Sequence, residues 1–143
     1  MNVVREIMSG CAVTIRPDFT MADATLLLVG HHIDGAPVVG IGGELLGFIS
    51  EPELLDIAFD PSIRKDRVTK HMTVDVQTVA PDDPIFRVAQ LFALFPFRRM
   101  PVVEHGKLIG IVSRRDVLHY ALRSNKPIKE PLSELVTELA HTS

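Results

Sequence analysis

A shift of 64 residues lays the first half of this 143-residue chain on its second half. Met8 falls on Met72, Thr14 on Thr78, Pro17-Asp18 on Pro81-Asp82, and Pro37-Val38-Val39 on Pro101-Val102-Val103. One residue is then lost, and at a shift of 63 Gly43-Glu44-Leu45-Leu46-Gly47-Phe48-Ile49-Ser50 meets Gly106-Lys107-Leu108-Ile109-Gly110-Ile111-Val112-Ser113. The 15 identities gather at turns and strands, which marks a duplicated supersecondary unit. A unit of about 60 residues buries only about 60% of its unfolded surface and is marginal alone. Two copies stacked face to face remove that deficit.

Each copy reads β-α-β-β-α. An extended segment, Ala12 to Arg16 or Val76 to Ala80, ends at a Pro-Asp turn. A helix follows. Thr20 with Asp23 three residues on resembles a capping box, and Asp83-Pro84 offers an N-cap with proline at the first helical position. The helical bodies, Met21 to His31 and Ile85 to Phe95, are apolar around their girth and expect burial on more than one side. A strand around Pro37-Val38-Val39 or Pro101-Val102-Val103 then turns at Gly42-Gly43 or His105-Gly106 into Leu45 to Ser50 or Leu108 to Ser113, an antiparallel hairpin. A last helix starts at Ser50 or Ser113. The class is therefore α/β (α+β): two units packed with pseudo-twofold symmetry, one over 1–64 with the polar connector Asp60 to Arg67, one over 65–125. The tail 126–143 carries Leu132, Leu135, Val136 and Leu139 at helical spacing and predicts a C-terminal helix over Pro131 to His141.

Composition removes several functional classes. With 46% apolar and 23% charged residues the chain is globular rather than disordered. Cys11 is the single cysteine, so there is no intrachain disulfide. No apolar run reaches the roughly 20 residues of a membrane span, and Met1 to Glu6 lacks a signal peptide's apolar stretch, which points to a cytoplasmic protein without a membrane partner. The net charge of −3 divides as −6 over residues 1–64, +5 over 65–128 and −2 over the rest, so an anionic ligand belongs with the second copy. The basic residues are not interleaved with aromatics, Trp is absent and Tyr120 is the only tyrosine, which argues against nucleic acid. His31-His32 diverge by about 100° on a helix and the other histidines are scattered, which argues against a metal. No phosphate loop, Cys-x-x-Cys, His-Glu-x-x-His or Gly-x-Ser-x-Gly is present, and nothing reads as an active site.

Ser113-Arg114-Arg115-Asp116 is the most informative tetrapeptide. A helix start offers unpaired N–H groups and the positive end of a dipole, which suits a phosphate, and two arginines add fixed charge. Asp116 has the acceptors for a ribose cis-diol. A second pair, Arg98-Arg99, precedes Pro101, and cations gathered at a positive helix end are costly until an anion arrives. The plainer readings stand beside this one. Ser-x-x-Asp is also a capping box that needs no ligand. Arg98 and Arg99 also fit a solvated loop, and they alternate faces if extended. Thr78, Val79, Met100 and Pro101 suit the walls of a purine pocket, yet core packing is the commoner fate of Val and Met.

The two segments Pro37-Val38-Val39 with Gly43 to Ser50, and Pro101-Val102-Val103 with Gly106 to Asp116, resemble CBS domains, and the pair resembles a Bateman module over roughly residues 4 to 123. The resemblance implies a non-catalytic regulatory module, commonly a homodimer, that binds AMP, ADP, ATP or S-adenosylmethionine in clefts between its units. It also implies that Ser113, Arg114, Arg115 and Asp116 hold ribose and phosphate, and that Thr78 and Val79 with Arg98, Arg99, Met100 and Pro101 line the adenine pocket. The first copy departs from the pattern. Ser50-Glu51-Pro52-Glu53 has Glu for Asp and acids for arginines, and Asp34-Gly35 replaces Arg98-Arg99. Negative charge there leaves one main site, on the second copy. The alternative is a ligand-free dimerisation or scaffold protein that docks an unidentified effector.

Overall fold

The computed structural model describes residues 2–11 and 13–129. The first repeat contains α1 (Met21–Gly30), β1 (Gly35–Val39), β2 (Leu45–Ser50) and α2 (Glu51–Phe59). The second contains α3 (Ile85–Leu94), β3 (Arg99–Glu104), β4 (Lys107–Ser113) and α4 (Arg114–Ser124). β1 pairs antiparallel with β2 from Gly35↔Ser50 to Val39↔Leu45, and β3 pairs with β4. The hairpin turns use positive φ where expected, at Gly43 (φ 90), His105 (φ 53) and Gly106 (φ 77). The extended segments opening each repeat contract to single parallel bridges, Ile15 to Val38 and Val79 to Val102.

Local signals explain the helix starts, with one correction. Thr20 and Asp23 form both bonds of a capping box on α1. Asp83 does not cap α3. Pro84 is extended (ψ 146) and takes the N-cap position, while the Asp83 carboxylate accepts the Ala80 N–H at 2.8 Å. The polar connector contains a 3-10 helix, Pro61–Lys65, opened by Asp60 accepting the Ser62 N–H. The helix expected over Pro131 to His141 lies outside the described residues. Among the described residues no helix is long and apolar enough to cross a membrane.

The compact units of the fold do not coincide with the sequence repeats. Among the described residues, one unit joins 2–10 to Thr78–Glu104 and to 109–129; the other joins 11 and 13–77 to His105–Leu108. Each repeat's lead segment is thus docked on the other repeat's elements. In the second-repeat unit, the Val4 N–H donates to Asp83, the Arg5 N–H to Pro81 and the Ile85 N–H to Asn2, at 2.8–2.9 Å. Ser9 and Ile111 exchange both backbone bonds at 2.9 and 2.8 Å. In the first-repeat unit, Met21 donates to Asp66, Val68 to Phe19, and Phe48 and Thr73 exchange both bonds. Val68 therefore lies in the core of Ile15, Met21, Ala24, Leu28, Ala36, Val38 and Ile49. Val4 and Ile7 lie in the core of Val79, Ile85, Val88, Phe92, Met100, Val102, Val112 and Val117. Each buried valine or isoleucine contributes about 1.5–3 kcal/mol, so the docked segments are integral to both units.

Glycine permits the docking. A Cβ on Gly110 would stand 2.6 Å from the Ser9 carbonyl oxygen, and one on Gly47 would stand 2.8 Å from the Thr73 carbonyl oxygen. The lead segment of the first-repeat unit is closed by His71, whose Nε2 lies 2.7 Å from Asp66 Oδ2. That hydrogen bond holds the Asp66 carboxyl below the usual carboxylate range, and Lys70 adds to it.

Candidate functional site

All ten residues singled out in the sequence fall in the second-repeat unit. Three stretches converge there. The Val79 N–H donates to Pro101 (3.2 Å) and the Val103 N–H to Val79 (2.9 Å), which lays Thr78-Val79 along β3. The Arg114 N–H donates to the Arg98 carbonyl at 3.0 Å, which brings Arg98-Arg99 to the start of α4. Ser113 and Asp116 sit on that same helix start.

The side chains divide by role. Val79 and Met100 belong to the core and Pro101 is buried, so it is core packing that holds the three residues expected at the pocket walls. β3 buries Met100, Pro101 and Val102 in succession and Val79 bridges to Val102, which fixes the backbone that carries Thr78 and Arg99. Thr78 is half-buried, Arg98 exposed, and Arg99 half-buried with its Nε enclosed. Ser113 and Asp116 form a complete capping box: the Asp116 N–H donates to Ser113 Oγ at 3.2 Å, and the Ser113 N–H to Asp116 Oδ2 at 2.8 Å. The capping reading of Ser-x-x-Asp is therefore correct as far as it goes. It uses Oδ2 of a partly buried carboxylate and leaves Oδ1.

The two arginines of the first turn part company. Arg115 is exposed and, among the described residues, has no hydrogen-bond or ion-pair partner. Arg114 turns away from the helix start: Nε donates to the Phe97 carbonyl (2.9 Å), and Nη2 to the Phe92 (2.9 Å) and Phe95 (2.8 Å) carbonyls. Its Nε and Nη2 thus serve the negative end of α3 and the loop beyond it, away from the place where a phosphate ligand was expected. Nothing in the spacing announces this contact, which reaches back 17 to 22 residues.

The equivalent corner of the first repeat is built differently. The Ser50 hydroxyl donates to Glu53 Oε2 (2.9 Å) and the Thr73 hydroxyl to Glu53 Oε1 (3.1 Å), so both carboxylate oxygens are engaged. No side chain caps α2, and Pro52 stands in its first turn. The Glu51 N–H donates to the Asp34 carbonyl at 3.0 Å, the counterpart of the Arg114 to Arg98 bond. The backbone scaffold is thus repeated, while the charges on it are reversed. Among the described residues no group of three or more His, Cys, Asp and Glu side chains is placed to hold a metal ion.

Comparisons with known proteins agree with this architecture. The protein MJ1225 of Methanocaldococcus jannaschii is 28% identical over 115 residues, covering 80% of this chain, and the chain spans 41% of that relative's length. Among solved structures, CBSX2 of Arabidopsis thaliana in complex with AMP is 29% identical and superposes with a TM-score of 0.80 over 88% of this chain and 100% of its own. The CBS domain pair of MJ0100, in complex with 5-methylthioadenosine and S-adenosyl-L-methionine, is 25% identical with a TM-score of 0.71 over 82% and 98%. Residues 4–60 and 67–123 each match the CBS domain, and the chain accordingly belongs to the CBS domain family, with two such domains in tandem.

Proposed function

We propose that the chain is a cytoplasmic, homodimeric, non-catalytic regulatory module that binds an adenosine-containing ligand, AMP, ADP, ATP or S-adenosylmethionine, at one main site on the second repeat. The observation that carries the reading is the contrast between the two equivalent corners. In the second repeat an exposed Arg115 and the Arg98-Arg99 pair stand by the positive end of α4, beside a carboxylate with one oxygen left over. In the first, Glu53 is closed by two hydroxyls, and Asp34 and Glu51 add negative charge. In this reading Asp116 Oδ1 receives ribose hydroxyls, and Arg115 with the α4 start receives phosphate. The relatives' AMP and S-adenosylmethionine complexes support the ligand class. Binding regulates to the extent that the ligand prefers one conformation of the chain, whose population it then raises.

The homodimer reading is supported by apolar pairs at matching places in the two repeats. Leu55 and Phe59 on α2 are 59% and 89% exposed, and Leu118 and Leu122 on α4 are 66% and 84% exposed. Spaced i, i+4, each pair makes a stripe fit for a second copy of this chain. These stripes alone would also serve a ligand-free scaffold, which is the second reading.

Isothermal titration of the chain with the four ligands tests the proposal. Asp116→Asn should weaken the ligand that binds by about 10- to 150-fold, the worth of a charge-assisted hydrogen bond of about 1.5–3 kcal/mol, while Glu53→Gln leaves it unchanged. Equal loss from Glu53→Gln overturns the one-site reading. No heat and no thermal shift with any of the four at millimolar concentration leaves the scaffold.

A further inference from the structure

We infer that Arg114 is a positioning residue of this site, holding Arg98 and Arg99 in place, and is not itself a phosphate ligand; the inference rests on the nucleotide-binding reading above. The last turn of a helix leaves carbonyls without intrahelical partners. In α3, Leu91 is served by the Phe95 N–H and Phe92 by Arg114 Nη2. A guanidinium at that negative helix end is favoured, whereas the same charge among the first-turn N–H groups of α4 is disfavoured. Electrostatics thus drives Arg114 away from the place a phosphate would occupy.

The contact does more than cap α3. The guanidinium carbon lies 5.9 Å from the Phe92 ring centroid, Phe95 stacks on Phe97 at 5.6 Å and 16°, and Phe97 meets Phe92 edge-on at 6.1 Å. One side chain therefore ties three carbonyls and sits on an aromatic cluster, and the chain leaves that cluster directly into Arg98-Arg99. The Arg114 backbone N–H holds the Arg98 carbonyl from the other side. Both ends of the tripeptide Phe97-Arg98-Arg99 are set by this one residue and by β3.

The first repeat offers the contrast. Glu51 stands at the Arg114 position, and the loop after α1 closes locally, with the His31 N–H and ring Nδ1 both against the Leu27 carbonyl and the Ile33 N–H donating to Leu28. The clasp exists only on the repeat proposed to bind. An ammonium cannot replace it, because a single nitrogen cannot occupy the places of Nε and Nη2 at once.

The experiment titrates AMP and adenosine into the wild-type chain and Arg114→Lys, and measures amide hydrogen exchange over residues 94–99 without ligand. Arg114→Lys should weaken AMP and adenosine fivefold or more by a common factor, with their ratio kept within twofold, and should speed exchange at least tenfold. Arg115→Ala, by contrast, should weaken AMP while sparing adenosine. Selective loss of AMP in Arg114→Lys, or unaltered affinity for both compounds, overturns the inference. So does unaltered exchange. If the wild-type chain binds neither compound, the nucleotide reading has failed, and the exchange rates of the unliganded chain alone decide whether Arg114 sets the loop.

Discussion

Alanine at Gly110 is a one-methyl change whose sign depends on the docked lead segment. Gly110 does not have positive φ, so backbone preference alone would make alanine favourable by about 0.5–1 kcal/mol in a strand. The new Cβ, however, would lie 2.6 Å from the Ser9 carbonyl oxygen, a backbone atom that cannot rotate away, and 3.4 Å from Met8 Sδ. If the strands stay in place, overpacking costs about 1–3 kcal/mol. If the lead segment lifts off, the two Ser9 to Ile111 hydrogen bonds are lost at about 1 kcal/mol each, and Val4 and Ile7 loosen in the core. Net destabilisation of about 1–3 kcal/mol follows on either route. Urea unfolding of Gly110→Ala measures it, and amide exchange at Ser9 and Ile111 shows whether the segment has left. Gly10→Ala, with nothing within 4 Å of its Cβ, is the control expected within about 0.5 kcal/mol of wild type. Wild-type stability and unaltered exchange at both amides in Gly110→Ala would refute the docking of residues 2–10 on β4.

Two further outcomes follow from the same structure. Because His71 holds the Asp66 carboxyl below its ordinary value of about 3.9, Asp66 stabilises the fold above that pH and ceases to do so as pH falls through its lowered folded value. The thermal midpoints of wild type and Asp66→Asn should therefore differ at about pH 6 and converge in acid; a gap that widens with acid contradicts the assignment. Leu118→Lys combined with Phe59→Lys places charge on both exposed stripes; under the dimer proposed above, sedimentation should find a dimer for the wild type and a monomer for the variant. A dimer of unchanged strength in the variant would exclude these helix faces as its interface.

What could be read from the chain follows the range of the interactions. The repeat, the hairpin turns and the capping boxes of Thr20 with Asp23 and Ser113 with Asp116 depend on residues within a few positions of each other, and all of them formed. Asp83 was the local exception, since Pro84 stayed extended and the carboxylate turned back to Ala80. The close backbone approaches at Gly47 and Gly110 involve residues 26 and 101 positions away and belong to the tertiary fold. The Pro-Val-Val and Ser-x-x-Asp positions marked the candidate site proposed on the second copy, but the fate of each side chain there was a tertiary matter. Val79 and Met100 pack inward because the bridge of Val79 to Val102 and the buried run Met100 to Val102 lie over a core, and Arg114 turned to α3 because that helix's C-terminus lay within its reach.

The sequence by itself determined a duplicated β-α-β-β-α unit, its turns, and a charge asymmetry that singles out the second copy. Only the tertiary structure decided that residues 2–10 and 66–73 dock across repeats, that Thr73 closes Glu53, and that one of two adjacent arginines clasps a loop while the other is left exposed. The physical reason is the same in each case. Periodicity and capping are encoded between near neighbours, whereas a partner 17 to 80 or more positions away is selected by which groups the packed backbone brings within about 3 Å, and no local pattern records that choice.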